Sequence, residues 1–381
     1  MLRSAPTQQC AGRVPCHEPR KHAAVRGPAP QRALMDRMAQ GGTGPDYSRA
    51  NQNLALELVR VTEAAALGGG KWMGKGDKNA ADQAAVDMMR RVFEACVGVH
   101  GVVVIGEGEK DEAPMLYNGE HVGDASGPLM DIAVDPIDGT TCVANGRSGA
   151  IAVIAMAEAG SMFNPGPCMY MEKLAVGPDV PADTVSLDES VAHNIRAVAR
   201  AKNKAVDEVT VVLLDRPRHK PLIDEIRAAG ARIRLISDGD VGGAIEVAKD
   251  ASPADMLMGI GGTPEGVIAA CALKCMGGTI YGRLWPRDDA ERERTIAAGY
   301  DLNKMMRTED LCSGEKVFFA ATGITDGDLL RGVRYHSGGG ATSSVVMRGE
   351  SGTVRWIETH HKWAKPSATN PMFLTSDDSM H

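Results

Sequence analysis

The chain has 381 residues and a formal net charge of −7, and 43% of its residues are hydrophobic. This is the composition of a globular protein with a sizeable core, and the acidic balance argues against a general nucleic-acid binder. The longest apolar run, Ala150 to Ala157, is shorter than a membrane span requires and is typical of a buried strand.

Residues 1–45 differ in composition from the rest of the chain. They are rich in proline, glycine and basic residues and have little apolar periodicity, which predicts a disordered extension. An arginine-rich, acid-poor start is also compatible with an organelle transit peptide, but this segment is poor in serine and has no secretory apolar stretch. We prefer the interpretation as a plain tail.

Two helices are predicted after this extension. The first begins at Ser48 and presents one apolar face until the glycines at 68–70 end it. That face comprises Leu54, Leu58, Val61 and Ala65. The second is predicted to begin with Asn79 as its N-cap and to run to about Ala95.

Strands and helices then alternate along the chain. A short buried strand is predicted at Val102–Ile105, and further strands are predicted at Asp131–Val134, Val209–Leu214, Arg232–Ile236 and Met256–Ile260. Helices are predicted around 188–202, up to Gly230, near 243–249 and at Pro264–Met276. This alternation predicts an α/β architecture, in which ligands collect at the carboxyl ends of the strands. We place a boundary between two lobes near 177–190, which gives lobes of 46–185 and 186–362 and a C-terminal tail of 363–381.

Several residues suited to metal or phosphate binding stand in the loop after the strand at Asp131–Val134. Asp135 ends that strand, and Asp138 is too close to it in sequence for both to ionise readily without a cation between them. Carboxylate oxygens suit Mg²⁺ or Mn²⁺. Gly139 permits a close backbone approach, and a helix start at Thr140 offers free N–H groups to a phosphate.

An Asx turn followed by a helix cap is the alternative interpretation of the D-x-x-D-G-T pattern. Two observations favour phosphoryl chemistry over that alternative. An apolar strand leads directly into the pattern, and a second apolar strand leads into another acidic loop, which carries Glu107 and Glu109.

The segment DPIDGTT at 135–141 resembles the metal-binding signature of the Mg²⁺-dependent, lithium-sensitive phosphatases, which include inositol monophosphatases and fructose bisphosphatases. Further blocks narrow this resemblance to class II fructose-1,6-bisphosphatase of the bacterial type, over about residues 48–360. These blocks are KWMGKGDKNAAD, VVVIGEGEKDEAPMLYNGE, MYMEKLAVGP, LLDRPRH, RLISDGDV, MGIGGTPEG and FFAATGITDGDLL. The resemblance implies a layered α/β/α/β/α sandwich of the sugar phosphatase type, a divalent metal, and a homo-oligomer, often a tetramer.

The family resemblance also implies which residues form the site. It places metal ligands at Asp82, Glu107, Asp135, Asp138 and Glu265. Asp138 departs from the family, because many members carry glutamate there. Asp82 and Glu265 stand early in predicted helices, where an acid also favours the helix dipole, so capping is the alternative for both.

The catalytic residue implied by the resemblance is Thr140, whose hydroxyl would help to position and deprotonate the attacking water. Thr141 is the neighbouring alternative. Arg216 and Arg218 are the expected seat of the distal 6-phosphate, and Lys78 is expected to help neutralise phosphate charge. The full set of expected substrate contacts is Asp138, Gly139, Thr140, Tyr170, Arg216, Pro217, Arg218, Asp238, Gly239, Asp240 and Gly262.

The resemblance therefore implies hydrolysis of the 1-phosphate of fructose 1,6-bisphosphate by metal-activated water, giving fructose 6-phosphate and phosphate in gluconeogenesis. One alternative is an enzyme that also acts on sedoheptulose 1,7-bisphosphate. An inositol monophosphatase-like enzyme would share DPIDGTT but not the later blocks. A non-catalytic phosphosugar-binding protein would be expected to lack a metal ligand or the threonine.

The resemblance makes 46–185 the metal-binding catalytic lobe and 186–362 the sugar-phosphate-binding α/β lobe. The eight cysteines are scattered without a C-x-x-C pair, which favours the reducing cytoplasm over a disulfide framework. The expected partner is a small sugar bisphosphate, with neither nucleic acid nor membrane as a partner.

Overall fold

The computed structural model describes residues 54–96, 98–108 and 115–363. Several predictions lie outside these residues. They are the disordered extension at 1–45, the helix start at Ser48, the acidic loop residue Glu109 and the C-terminal tail from 364 onward.

The described residues form α-helices and two β-sheets. The helices are α1 (Ala55–Gly69), α2 (Lys78–Glu94), α3 (Thr140–Ala144), α4 (Val191–Ala201), α5 (Lys220–Ala228), α6 (Asp240–Glu246), α7 (Thr263–Met276), α8 (Asp289–Ala297) and α9 (Thr308–Leu311). The strands are β1 (His100–Ile105), β2 (His121–Val122), β3 (Leu129–Asp138), β4 (Ile151–Glu158), β5 (Tyr170–Val176), β6 (Thr210–Leu214), β7 (Arg232–Ile236), β8 (Met256–Gly262), β9 (Thr279–Leu284), β10 (Met306–Arg307), β11 (Phe318–Gly323), β12 (Arg334–His336), β13 (Gly339–Arg348) and β14 (Thr353–Lys362).

The first helix, α1, ends within the predicted glycine run, and a short 3₁₀ turn at Gly70–Trp72 follows it. Close packing gives one reason for glycine here. A Cβ atom on Gly68 would lie 2.5 Å from the backbone oxygen of Ala84 on α2. The glycine run therefore allows α1 and α2 to approach closely as well as ending the helix.

The start of α2 differs from the prediction. Asp77, and not Asn79, is the N-cap, because its Oδ1 accepts a hydrogen bond from Ala80 N at 2.9 Å. Asn79 lies inside the first turn. Asp and Asn are about equally good capping residues, so the sequence alone did not separate the two positions.

The first sheet has eight strands in the order β12-β13-β11-β4-β3-β1-β2, with β14 paired to β13. Within it β1 and β3 are parallel, and the other pairs are antiparallel. The second sheet has six strands in the order β10-β9-β5-β8-β6-β7, with β6 parallel to both β7 and β8. Both sheets are therefore mixed.

Three apolar clusters show how the sheets and helices are layered. One cluster joins α1 and α2 to the outer face of the first sheet. A second lies between the two sheets and contains α6 and α7. The third joins α4 and α5 to the outer face of the second sheet. The order helix, sheet, helix, sheet, helix is the predicted α/β/α/β/α sandwich, so the predicted fold class is confirmed.

The two sheets do not divide the chain at one point. Strand β5 precedes the predicted boundary near 185 but belongs to the second sheet, and β11 to β14 follow the boundary but belong to the first. The division into lobes of 46–185 and 186–362 therefore stays a prediction that does not coincide with the division between the sheets. Within the described ranges, no helix combines the length and the apolar character needed to span a bilayer.

A buried carboxyl group on α1 faces the first sheet. Glu63 is 4% exposed, near the hydroxyl groups of Thr342 and Thr359. Burial raises the pKa of Glu63 above its usual 4.5, although hydroxyl hydrogen bonds and Arg60 act in the opposite direction. The folded protein therefore binds this proton more tightly than the unfolded chain does.

We expect Glu63→Gln to change the pH dependence of stability. In the wild type, this carboxyl group should lower the free energy of unfolding as pH rises from about 4.5 through its raised native pKa. Glutamine does not titrate, so the variant should be the more stable protein at neutral pH, by about 1–3 kcal/mol, and the difference should disappear under acid. Urea unfolding of both proteins between pH 4 and pH 8 measures this, and a difference independent of pH would contradict it.

Candidate active site

A cavity of about 330 Å³ opens where strand ends of the two sheets meet. Strand β3 ends there in the first sheet, and β6 and β8 end there in the second. Most of the predicted site residues line it, namely Asp135, Asp138, Gly139, Thr140, Tyr170, Arg216, Arg218, Asp238, Gly239, Asp240, Gly262 and Glu265. The cavity thus lies at the carboxyl ends of strands, where the α/β pattern places ligands.

The end of β3 is irregular in the way that its sequence suggests. The register of β3 against β4 shifts between Asp135 and Asp138, and Asp135 Oδ1 accepts a hydrogen bond from Ile137 N at 3.0 Å. Gly139 has a φ of 101° and precedes α3, which begins at Thr140. The turn therefore presents the Asp135, Asp138 and Thr140 side chains to the same cavity.

The predicted metal ligands are electrostatically coupled. Asp82 and Glu107 share a side-chain hydrogen bond, and burial together with Asp82 raises the pKa of Glu107 to about 8. Burial, followed by the charges of Asp138, Glu265, Glu107 and Asp82, raises the pKa of Asp135 well above its usual range. Burial also raises the pKa of Asp138 and of Glu265. Carboxylates from distant segments of the chain thus form one acidic cluster.

The chemistry of this cluster fits a divalent cation. All of its side chains offer carboxylate oxygens, the ligands that Mg²⁺ and Mn²⁺ prefer. Glu265 Oε2 is buried and has no hydrogen-bond partner within the described part of the chain, so a cation would satisfy an unpaired oxygen. In the described ranges, no three His, Cys, Asp or Glu side chains are already arranged to hold an ion. Because like charges repel one another, these carboxylates would have to move closer together when a cation binds.

A glycine next to this cluster keeps room for a carboxylate. A Cβ atom on Gly262 would lie 1.7 Å from Glu265 Oε2, so any other residue there would displace the Glu265 side chain. Gly262 precedes α7, and Glu265 lies in the first turn of that helix. The short spacing between them explains why the GIGGTPEG block combines glycine with an acid.

A buried lysine, which the sequence did not reveal, neutralises part of the acidic cluster. Lys173 on β5 is 2% exposed, and its Nζ lies 2.7 Å from Asp240 Oδ2. Asp240 was predicted to contact substrate. It lines the cavity, but this oxygen already accepts a hydrogen bond from the lysine. Lys173 also lowers the pKa of Asp138 and of Glu265, against the larger effect of burial.

We expect Lys173→Met to destabilise the protein by about 3–5 kcal/mol, because it leaves Asp240 buried without its partner. Chemical unfolding in the absence of divalent cations measures this change. The double variant Lys173→Met/Asp240→Asn removes both charges and should recover most of the loss. If the single variant were as stable as the wild type, this ion pair would have no part in stabilising the fold.

Asp238 connects two walls of the cavity. Its Oδ1 lies 2.7 Å from Arg216 Nη2, and its Oδ2 accepts a hydrogen bond from Thr141 N at 3.0 Å. Arg216 also donates to Ser237 O at 2.6 Å. The Arg216 side chain is therefore largely committed to protein partners. Lys78 Nζ donates to Thr141 Oγ1 at 2.8 Å, which brings this lysine beside the start of α3.

Two arginines meet the ring of Tyr170 at one side of the cavity. Arg218 Cζ lies 5.1 Å from the ring centroid, and Arg287 Cζ lies 5.9 Å from it. Arg218 also donates to Ile260 O, which holds it against the end of β8. Arg287 lines the cavity but was missed in the sequence. It stands in a run of mixed charges, PRDDAERER, which is typical of the solvent-exposed start of a helix.

The remaining predicted residues lie beside the cavity and not on its lining. Asp82 and Glu107 do not line the cavity, but their charges raise the pKa of Asp135. Pro217 begins the 3₁₀ turn Pro217–His219, which separates the two arginines of the RPR segment. The proline shapes the loop between them.

The chain is similar to known proteins over most of its length. Residues 52–361 match the family profile described as bacterial fructose-1,6-bisphosphatase, glpX-encoded. The chain is 43% identical over 341 residues to the D-fructose 1,6-bisphosphatase class 2/sedoheptulose 1,7-bisphosphatase of Synechocystis, with 83% of this chain and 98% of that protein covered. An enzyme of the same name from Microcystis aeruginosa is 44% identical over 338 residues, with 82% and 97% covered. Fructose-1,6-bisphosphatase 1 class 2 of Escherichia coli is 44% identical over 323 residues, with 81% and 95% covered.

Proposed function

The chain belongs to the bacterial fructose-1,6-bisphosphatase family and is a phosphatase, and we propose that it removes the 1-phosphate of fructose 1,6-bisphosphate in the cavity at the ends of β3, β6 and β8. One observation carries this proposal. An acidic cluster suited to divalent cations and a group of arginines line the same cavity, with Thr140 among the lining residues. A substrate with a phosphate at each end needs both kinds of contact.

The family is metal-dependent, and the residues that would hold Mg²⁺ or Mn²⁺ are Asp82, Glu107, Asp135, Asp138 and Glu265. When bound, the cation would supply Lewis-acid stabilisation of the charge on the 1-phosphate. The carboxylates contribute negative charge that attracts cations to this cavity. Burial and mutual repulsion raise the pKa of Asp135 and of Asp138. A bound cation would lower both pKa values, because it favours the ionised carboxylates.

Thr140 is proposed to orient the attacking water, with the hydroxyl oxygen of Thr140 accepting a hydrogen bond from that water. The Thr140 hydroxyl has no protein hydrogen-bond partner among the residues described, whereas Thr141 Oγ1 is engaged by Lys78. This difference supports Thr140 over Thr141. Gly139, Asp238, Gly239 and Asp240 form the wall beside it and are proposed to contact the sugar.

The distal 6-phosphate is proposed to lie near Tyr170 and Arg218, with Arg216 and Pro217 shaping that wall. The product is then fructose 6-phosphate. Arg218 has donors in a planar fork, which suits phosphate oxygens. Gly262 exposes backbone next to Glu265, where it is proposed to contact the substrate.

Sedoheptulose 1,7-bisphosphate is the second candidate substrate, because two of the relatives carry that activity in their names. Phosphate release from both bisphosphates should be measured side by side with added Mg²⁺ or Mn²⁺, and then with chelator. Release from the first sugar that stops with chelator is the expected result. No release under any condition would favour a non-catalytic phosphosugar-binding protein.

The cellular setting is proposed from the family and from the chain. The reaction is a step of gluconeogenesis, and the free, buried state of the cysteines at 96, 142, 168, 271, 275 and 312 is in keeping with the cytoplasm. A homo-oligomer, often a tetramer in the family, is proposed as the assembly. Light scattering coupled to size exclusion measures its mass, and a monomer would contradict it.

A further inference from the structure

The basic wall of the cavity contains one arginine more than the RPR segment supplies. Arg287 follows β9 and precedes α8, and its side chain is 51% exposed where it lines the cavity. Its guanidinium and that of Arg218 both approach the ring of Tyr170. Trp285 meets the same ring edge-on, with the ring centroids 6.5 Å apart.

A buried carboxylate holds this arginine in place. Glu291 is 0% exposed, and its Oε2 accepts hydrogen bonds from Arg287 Nε at 2.8 Å and from Arg287 N at 3.1 Å. Its Oε1 accepts a hydrogen bond from Met169 N at 2.7 Å, one residue before Tyr170. One buried side chain therefore fixes Arg287 and the start of β5 relative to each other.

This ion pair leaves the outer edge of the Arg287 guanidinium available. Only Nε takes part in the bond to Glu291, and the two terminal nitrogens have no protein partner among the residues described. Arg216, in contrast, uses both terminal nitrogens on Asp215 O, Ser237 O and Asp238. Arg218 uses Nε and Nη2 on Ile260 O.

The number of free donors shows why a further arginine matters at this wall. A phosphate monoester carries a charge of about −1.5 to −2 near pH 7. Arg216 is paired with Asp238 and Arg287 with Glu291, so Arg218 is the arginine of this wall without a carboxylate partner in the part of the chain that the structure describes. Arg287 differs from Arg216 in keeping both terminal nitrogens free of protein acceptors within the described ranges. The free edge of Arg287 supplies a second set of paired donors of the kind that binds phosphate oxygens.

We propose that Arg287, positioned by buried Glu291, is a substrate-specificity residue that binds the phosphate remaining on the product, opposite the phosphate that is removed. This proposal rests on the proposed function and adds a contact that the RPR segment does not provide. Arg287 should therefore distinguish bisphosphates from sugars that carry only the scissile phosphate. Glu291 is a positioning residue, because it touches the arginine and not the substrate.

The test compares Arg287→Gln with wild type on two substrates. For fructose 1,6-bisphosphate, kcat/KM should fall by about 10–100-fold, mostly through KM, as expected for a lost charged hydrogen bond. For fructose 1-phosphate, which lacks the distal phosphate, the two proteins should have equal kcat/KM. An equal loss on both substrates would overturn the proposal, because Arg287 would then act on the whole site.

The single substitution leaves Glu291 buried without its partner, so stability must be controlled. Arg287→Gln/Glu291→Gln removes both charges and should show the same substrate-dependent loss. Glu291→Gln alone should raise KM for the bisphosphate by a smaller factor, because the arginine remains but is less well held. Arg292→Gln removes an exposed arginine from the same helix and should behave as wild type.

A binding measurement separates this proposal from the proposed function. Titration calorimetry with fructose 6-phosphate does not require turnover, and binding should weaken about 10-fold in Arg287→Gln and in the double variant. If the wild type bound fructose 6-phosphate but hydrolysed nothing, the proposed function would fail while this contact stood. Unchanged binding in both variants would overturn the contact.

Discussion

Replacing Thr140 with alanine is expected to reduce kcat for fructose 1,6-bisphosphate by about 10²–10⁴-fold, the range over which a positioned proton-transfer group acts. KM should change little, because the sugar and the distal phosphate have other contacts. Thr140 lies at the first position of α3, where alanine is a good helix former, so the fold should be retained. The loss would then belong to the chemical step.

The neighbouring threonine is a matched control for this prediction. Thr141→Ala removes the same atoms one residue later but takes away only the contact with Lys78 Nζ. We expect its kcat to remain within about tenfold of wild type, and Thr140→Ser to retain much of the wild-type rate because the hydroxyl group remains. Steady-state kinetics and melting temperatures of the three variants decide the matter. Full activity in Thr140→Ala would remove Thr140 from the mechanism.

The parts of this molecule that could be predicted from sequence have a local signature. Buried strands such as β4 and β6 are nearly continuous apolar runs, and glycine, proline or an acid marks their ends. The DPIDGTT turn is similar, because proline and glycine fix the backbone and the acids stand at fixed spacing. For these elements the local sequence determines both the conformation and the chemistry that is exposed.

The parts that were missed depend on distant partners. Strands β11, β13 and β14 pair as a long antiparallel set, and β5 crosses from one half of the chain into the second sheet. Lys173 lies on β5 in the run MYMEKLAV, next to Glu172, and a lysine is rarely buried unless it is paired, so its residue type suggests a solvent-facing side chain. It is buried because Asp240, on another element, neutralises it. Arg287 is similar, since Glu291 and Tyr170 give it a role that its neighbours in sequence do not indicate.

The acidic cluster combines a functional advantage with a structural cost. Asp135 is close to other carboxylates, and its pKa is raised by burial first and then by their charges. A cation relieves this repulsion, whereas the cation-free protein retains it. The Asp135 carboxylate, which has a large expected effect on activity, should therefore also destabilise the protein when divalent cations are removed.

Asp135→Asn is expected to reduce kcat by about 10³-fold or more, because it removes a charged ligand from the proposed cation site. In chelator, the variant should melt above the wild type. The shift per kcal/mol should be below the roughly 2–4 °C of a 150–250-residue protein, because this chain has 381 residues. Adding Mg²⁺ or Mn²⁺ should raise the melting temperature of the wild type more than that of the variant.

Asp250→Asn, an exposed aspartate outside the cavity, is the control for the loss of one negative charge. Scanning calorimetry in chelator and across a cation titration gives both readouts without turnover, so an effect on binding is separated from an effect on the chemical step. If the variant and the wild type responded equally to cations, Asp135 would not be a ligand. If Asp135→Asn were also less stable than the wild type in chelator, the Asp135 carboxylate would stabilise the fold. Repulsion within the acidic cluster would then not be the dominant energy at this position.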